Sequence, residues 1–147
     1  MKEPVYTWDG VIATCTIIDD QGRKFIGEAY VHETDMDFAS EKTGCTIAGY
    51  RASIQYLKSV KRDILKPQLA ALKQLYYSMN RSKYYDKKSY ANKMLWNQIR
   101  IKEEDLITVS AEIEKYKQAL KIYINDKEEF YQATRKRRAM VAKDENN

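Results

Sequence analysis

Residues 89–134 read SYANKMLWNQIRIKEEDLITVSAEIEKYKQALKIYINDKEEFYQAT, and this stretch decides the fold. Ile99, Leu106, Ile113 and Leu120 recur every seven residues, and Val109, Tyr116, Tyr123 and Phe130 recur at the same interval behind them. That is an a/d seam held over about four heptads, the signature of a long helix with one apolar edge. Ser89 is the expected N-cap, with Asp86 as its competitor. The helix is expected over about 89–138, with 139–147 as a tail. Its seam over 89–134 would span roughly 65–70 Å at 1.5 Å per residue. A compact domain of this size has a radius of gyration of only about 15 Å. The excess seam must therefore meet another chain. A homo-oligomer is expected, a dimer by symmetry or a higher assembly built on dimers.

Upstream, a first helix is expected over about 36–80. Ile47, Tyr50, Ile54, Leu57 and Ile64 form its stripe, and Leu65, Leu69, Leu72, Tyr76 and Met79 continue it in a shifted register. Pro67 removes one backbone donor, which predicts a kink near Lys66. Gly44 is read as separating a short turn from the main helix.

The first 34 residues read as a β-region. The run 11–18 is β-branched, and 23–32 alternates: Phe25, Gly27, Ala29 and Val31 on one face, Ile26, Glu28, Tyr30 and His32 on the other. Between them Asp19-Asp20-Gln21-Gly22 signals a turn with Gly22 at positive φ. Residues 6–8 are read as a third strand. The fold class expected is α+β: a small N-terminal antiparallel sheet, then two long antiparallel helices that oligomerise, all in one domain over 1–147.

The chain has 147 residues, 26 basic and 21 acidic, for a formal charge of +5. No run approaches the roughly 18 apolar residues a membrane span needs, and residues 1–10 hold no apolar signal core. A cytoplasmic protein without membrane attachment is expected. Cys15 and Cys45 match neither a zinc spacing nor a disulfide framework, and read as small buried hydrophobes.

Catalytic chemistry is not visible. His32 stands without a nearby nucleophile, and no glycine-rich phosphate loop, paired metal-ligand spacing or serine elbow occurs. Asp35, Asp37 and Glu41 read as capping carboxylates rather than cation ligands. No cofactor or metal is expected, and the chain is not expected to be an enzyme.

Binding chemistry is visible. Residues 76–100 interleave Tyr76, Tyr77, Tyr84, Tyr85, Tyr90 and Trp96 with Arg81, Lys83, Lys87, Lys88, Lys93 and Arg100, plus Asn80 and Asn92. Flat rings stack on bases, cations neutralise phosphates, and an asparagine amide reads a base edge. The bland alternative is a wet helix-hairpin turn whose tyrosines only pack. Arg135, Lys136, Arg137 and Arg138 are expected at the end of the second helix, where its dipole favours cations.

Several stretches resemble one family: Phe25-Ile26-Gly27-Glu28-Ala29; Met36-Asp37-Phe38-Ala39-Ser40-Glu41 with Gly44; Ile47-Ala48; Arg51-Ala52; Lys66-Pro67-Gln68-Leu69; Leu75-Tyr76-Tyr77-Ser78-Met79-Asn80; and Lys88-Ser89-Tyr90-Ala91-Asn92-Lys93-Met94-Leu95-Trp96. Across about 11–138 the chain is similar to the phage-encoded Thoeris anti-defence proteins of type 1. The resemblance implies a dimer-forming sponge in the cytoplasm of an infected bacterium. It would sequester a cyclic ADP-ribose signal without cleaving it, and some members also hold cyclic di- or trinucleotides. It implies a pocket with an aromatic ring, matched by Tyr84 or Tyr85, and a base-reading amide, matched by Asn92. Arginines would hold the phosphates, with Arg51, Arg100, Arg135 and Arg138 as candidates by charge and helical placement.

Two other readings compete: a nucleic-acid-binding phage protein, and a structural or protein-inhibiting helical oligomer. The modest charge and the acidic stretches argue against a polymer of phosphates. Composition does not distinguish cyclic isomers.

Overall fold

A computed structural model describes residues 3–30, 40–81 and 89–145. Its elements are β1 (Val5–Trp8), β2 (Ile12–Ile18), β3 (Lys24–Tyr30), α1 (Glu41–Ser59), a π-helical segment (Val60–Leu65), α2 (Lys66–Arg81) and α3 (Tyr90–Glu145). The class is α+β. The chain forms two compact units, Met1–Gln55 with Lys115–Asn147, and Tyr56–Glu114.

The first unit holds an antiparallel sheet in the order β1-β2-β3. Residues 6–8 are indeed a strand, with Tyr6 opposite Cys15 and Trp8 opposite Ala13. The β2–β3 turn closes around Asp19, whose Oδ1 accepts from the backbone N–H groups of Gln21 (3.0 Å) and Arg23 (2.8 Å). Its Oδ2 accepts from Arg23 Nε at 2.7 Å. Gly22 takes the positive φ the turn needs, 81°. Burial pushes the Asp19 carboxyl up; the bonds from Arg23 and Gln21 outweigh it and hold the group below its ordinary range.

The strands alternate as their sequence requires. Ala13, Cys15 and Ile17 of β2 and Gly27 and Ala29 of β3 are buried, while Ile26, Glu28 and Tyr30 face outward. The inner face is small because α1 lies on it through Gly44, Ala48 and Ala52, all buried. Gly44 is thus inside α1, not a separator. A Cβ there would stand 2.8 Å from Ala13 Cβ and 3.2 Å from the Trp8 ring, so the missing side chain serves packing. Ser40 starts the helix, its Oγ accepting from the Thr43 N–H at 3.3 Å. The expected start near 36 and the carboxylates Asp35 and Asp37 lie outside the described residues, as does His32. Cys15 is buried and Cys45 half-buried, both free thiols. Tyr50 packs edge-on against Tyr116, 6.1 Å between centroids, and against Tyr123 at 6.5 Å.

The second unit contains the π-helical segment, α2 and the first part of α3. The irregularity foreseen at Lys66 sits on the N-terminal side of Pro67: α-geometry gives way over Val60–Leu65, and the Lys66 N–H reaches the Lys61 carbonyl. Pro67 has no N–H to return to the preceding turn, so the local bonding rearranges ahead of it. Ser89 caps α3, accepting from the Asn92 N–H at 3.2 Å; Asp86, its competitor, lies outside the described residues. Leu65, Leu95, Ile99 and Ile113 form this unit's buried apolar set.

One expectation about α3 changes. The helix runs to Glu145, so residues 135–138 lie within it rather than at its end, and the helix-dipole account of these cations falls away. The seam is also partly spent inside the chain. Ile99 (2% exposed) and Ile113 (5%) are buried, whereas Tyr116 (37%) and Phe130 (60%) stand open. Among the described residues no helix is long and apolar enough to cross a membrane.

Candidate functional site

The second unit presents a cleft of about 360 Å³ lined by Tyr76, Asn92, Lys93, Trp96 and Asn97. Four of these five lie on the first turns of α3, because positions i, i+1, i+4 and i+5 share one side of a helix. Tyr76 comes from α2. Its ring meets that of Trp96 at 5.6 Å between centroids, inclined by 42°, and that of Tyr77 at 5.8 Å. Trp96 and Tyr77 are both well exposed. The result is an aromatic wall with an open side, beside a lysine and several carboxamides.

Asn92 is 7% exposed, rare for an uncharged amide unless it is bonded. Its backbone N–H binds Ser89 Oγ, and its Oδ1 accepts from Asn80 Nδ2 at 3.1 Å. Asn80 Nδ2 also donates to the Tyr76 carbonyl at 2.7 Å. The end of α2 is thereby tied to the start of α3 at the cleft. A second cleft in this unit, of about 390 Å³, is lined by Gln68, Ala71, Leu72, Gln98, Ile101 and Lys102. It offers no aromatic ring for stacking, so the first is the better nucleotide candidate.

Of the residues singled out by sequence, Asn92 lines the cleft. Arg100 is exposed on α3, three and four residues beyond Asn97 and Trp96, on the face they share. Tyr84 and Tyr85 lie outside the described residues. Arg51 belongs to the first unit, where Nη1 donates to the Glu28 carbonyl at 2.6 Å. This bond joins α1 to β3 and gives the arginine a structural task. Arg135 and Arg138 are exposed on α3, also in the first unit, and neither lines the cleft.

Tyr76, Asn80, Lys93, Trp96 and Asn97 were not among the expected site residues, although all five stand in the aromatic–basic stretch 76–100 and all but Asn97 were noted in it. The 92–93–96–97–100 spacing, read as one helical face, was the signal available. Among the described residues no group of three or more His, Cys, Asp or Glu side chains could hold a metal ion. Comparison with known proteins brings no match: no family model, no curated protein and no solved structure is similar to this chain.

Proposed function

We propose that this chain is a phage anti-defence protein that binds and sequesters a cyclic ADP-ribose-type signal of the Thoeris system, without cleaving it, in the cytoplasm of the infected host. One observation carries the reading: a buried, doubly anchored Asn92 beside an open Tyr76–Trp96 wall and Lys93. A ring stacked on the indole, an amide reading its edge and a cation for the diphosphate are the parts that nucleotide capture requires. Arg100, one turn further along the same face, supplies a second cation. The resemblance described above points the same way and supplies the cyclic signal. Cyclic oligonucleotides share this chemistry and are further candidate ligands.

Calorimetric titration with cyclic ADP-ribose isomers tests the reading, with short single-stranded DNA as the competing ligand. Trp96→Ala should weaken nucleotide binding by about tenfold to a hundredfold, since stacking is worth about 1–3 kcal/mol per base. Ligand released by heating should be intact by chromatography. Tight DNA binding without nucleotide binding would replace the sponge with a nucleic-acid-binding protein, and a hydrolysed product would reveal an enzyme.

A second part of the proposal is assembly. Ile107, Ile122, Phe130 and Met140 stand exposed along α3, an arrangement that favours a homo-oligomer formed through this helix.

A further inference from the structure

Two asparagines line the cleft, and they differ in what holds them. Asn92 is 7% exposed and committed to the fold: Ser89 holds its backbone N–H, Asn80 donates to its Oδ1, and it has a further interaction besides. Asn97 is exposed, and among the described residues its side chain has no hydrogen-bond partner. It stands well inside α3, which begins at Tyr90, so it caps nothing. Asparagine is a poor helix former, because its amide competes for backbone hydrogen bonds. Asn97 thus weakens α3 slightly and makes no side-chain bond within the fold.

Its position gives it another use. Trp96, the open ring of the cleft, precedes it in sequence, and Lys93 lies one turn back on the same side of α3. A base stacked on Trp96, with its phosphate on Lys93, has Asn97 as the uncommitted carboxamide of the cleft. That amide offers an acceptor and two donors. Because nothing in the fold grips it, it can present them in either order. Adenine sets its exocyclic amine, a donor, beside a ring nitrogen, an acceptor. Guanine sets O6, an acceptor, beside its N1–H, a donor. An amide free to turn over pairs with both.

We infer that Asn97 is the residue that reads the base and that, being unfixed, it admits adenine and guanine alike, so that this cleft takes purine nucleotides of either kind. The inference rests on the reading of the cleft as a nucleotide site. Asn92 belongs to the frame that joins α2 to α3, and no contact between it and the base is needed.

The test uses cyclic ADP-ribose linked ribose to ribose, which leaves the base edges open, and the same molecule with guanine in place of adenine. Each is titrated calorimetrically into the full chain and into Asn97→Ala and Asn97→Asp, with circular dichroism checking that each variant is folded. The wild type should bind the two ligands within about threefold of each other. Asn97→Ala should weaken both by about tenfold, the loss of a paired base contact. A carboxylate offers acceptors only and suits guanine, whose N1–H and 2-amino group are adjacent donors. Asn97→Asp should therefore favour the guanine ligand by about tenfold or more. Its negative charge acts on the phosphates of both ligands and cancels in the ratio. A wild type that rejects guanine by more than about tenfold overturns the inference while the nucleotide site stands, and so does an Asn97→Asp variant with the wild-type ratio. An Asn97→Ala variant that binds both ligands as the wild type does shows that Asn97 is not the reader. If the wild type binds neither ligand, the functional proposal fails and the inference with it.

Discussion

Gly27 of β3 and Ala48 of α1 meet backbone to backbone. A Cβ added at Gly27 would overlap the Ala48 carbonyl oxygen and the Ala52 amide nitrogen, and would stand 3.0 Å from Arg51 Cβ. Neither backbone atom can step aside as a side chain would. The contact lets helix and sheet close over a core of Ala13, Cys15, Ala48 and Ala52, each fully buried.

Gly27→Ala should therefore separate α1 from the sheet or strain both. Overpacking of this kind costs about 1–3 kcal/mol, and the rigid neighbours place Gly27 at the upper end. Urea denaturation followed by circular dichroism measures it. A midpoint equal to that of the wild type would contradict the close approach.

The Asp19 turn predicts a pH dependence. The folded carboxyl titrates below its unfolded value, so its stabilisation is complete above an unfolded pKa of about 4 and is lost as pH falls through the lower folded value. Asp19→Asn keeps an Oδ1 acceptor for the Gln21 and Arg23 N–H groups but loses the charged partner of Arg23 Nε. Thermal melts of the two proteins should differ at neutral pH and converge in acid. A gap of constant size down to pH values well below 4 would show that the charge of Asp19 has no part in the turn.

Ser59 is buried and its hydroxyl donates to Asp63 Oδ2 at 3.0 Å across the π-helical segment. Asp63 also receives Arg62 Nε on its other oxygen at 2.8 Å. Asp63→Ala leaves the Ser59 hydroxyl to find a new acceptor inside the helix. The expected loss is about 1–2 kcal/mol in chemical denaturation. No loss would mean that the segment holds its geometry without this side-chain tie.

Assembly through α3 has its own test. Ile107, Ile122 and Phe130 are exposed in the protomer, so replacing each with Glu should leave helicity intact while dispersing the oligomer in sedimentation velocity. Ile99→Asp and Ile113→Asp are expected to unfold the protomer instead, since both positions are buried. A wild type that already sediments as a monomer would refute assembly through this helix.

Much of the fold was legible in the sequence because it depends on short-range rules. Strand alternation assigned the inner and outer faces of β3, the Asp-Asp-Gln-Gly turn placed Gly22 at positive φ, and Ser89 was recognisable as a cap from its hydroxyl and position. The candidate site was legible only in part. Asn92 belonged to a peculiar aromatic–basic stretch, but Arg51 has the same charge as any phosphate ligand, and nothing in its neighbours along the chain reveals its bond to Glu28.

The order of the elements, the strand pairing signals and the helical period of 89–134 are local consequences of side-chain type and spacing, and the sequence by itself determined them. Which glycine serves as a turn and which as a packing surface was decided by tertiary structure: Gly44 reads as a breaker until Ala13 and Trp8 are seen against it. The same holds for the seam and the amides. Whether Ile99 is covered or Phe130 exposed, and which end of Asn92 meets Asn80, depends on atoms distant in sequence. Burial and hydrogen-bond polarity are properties of three-dimensional neighbours, and a linear pattern carries no record of them.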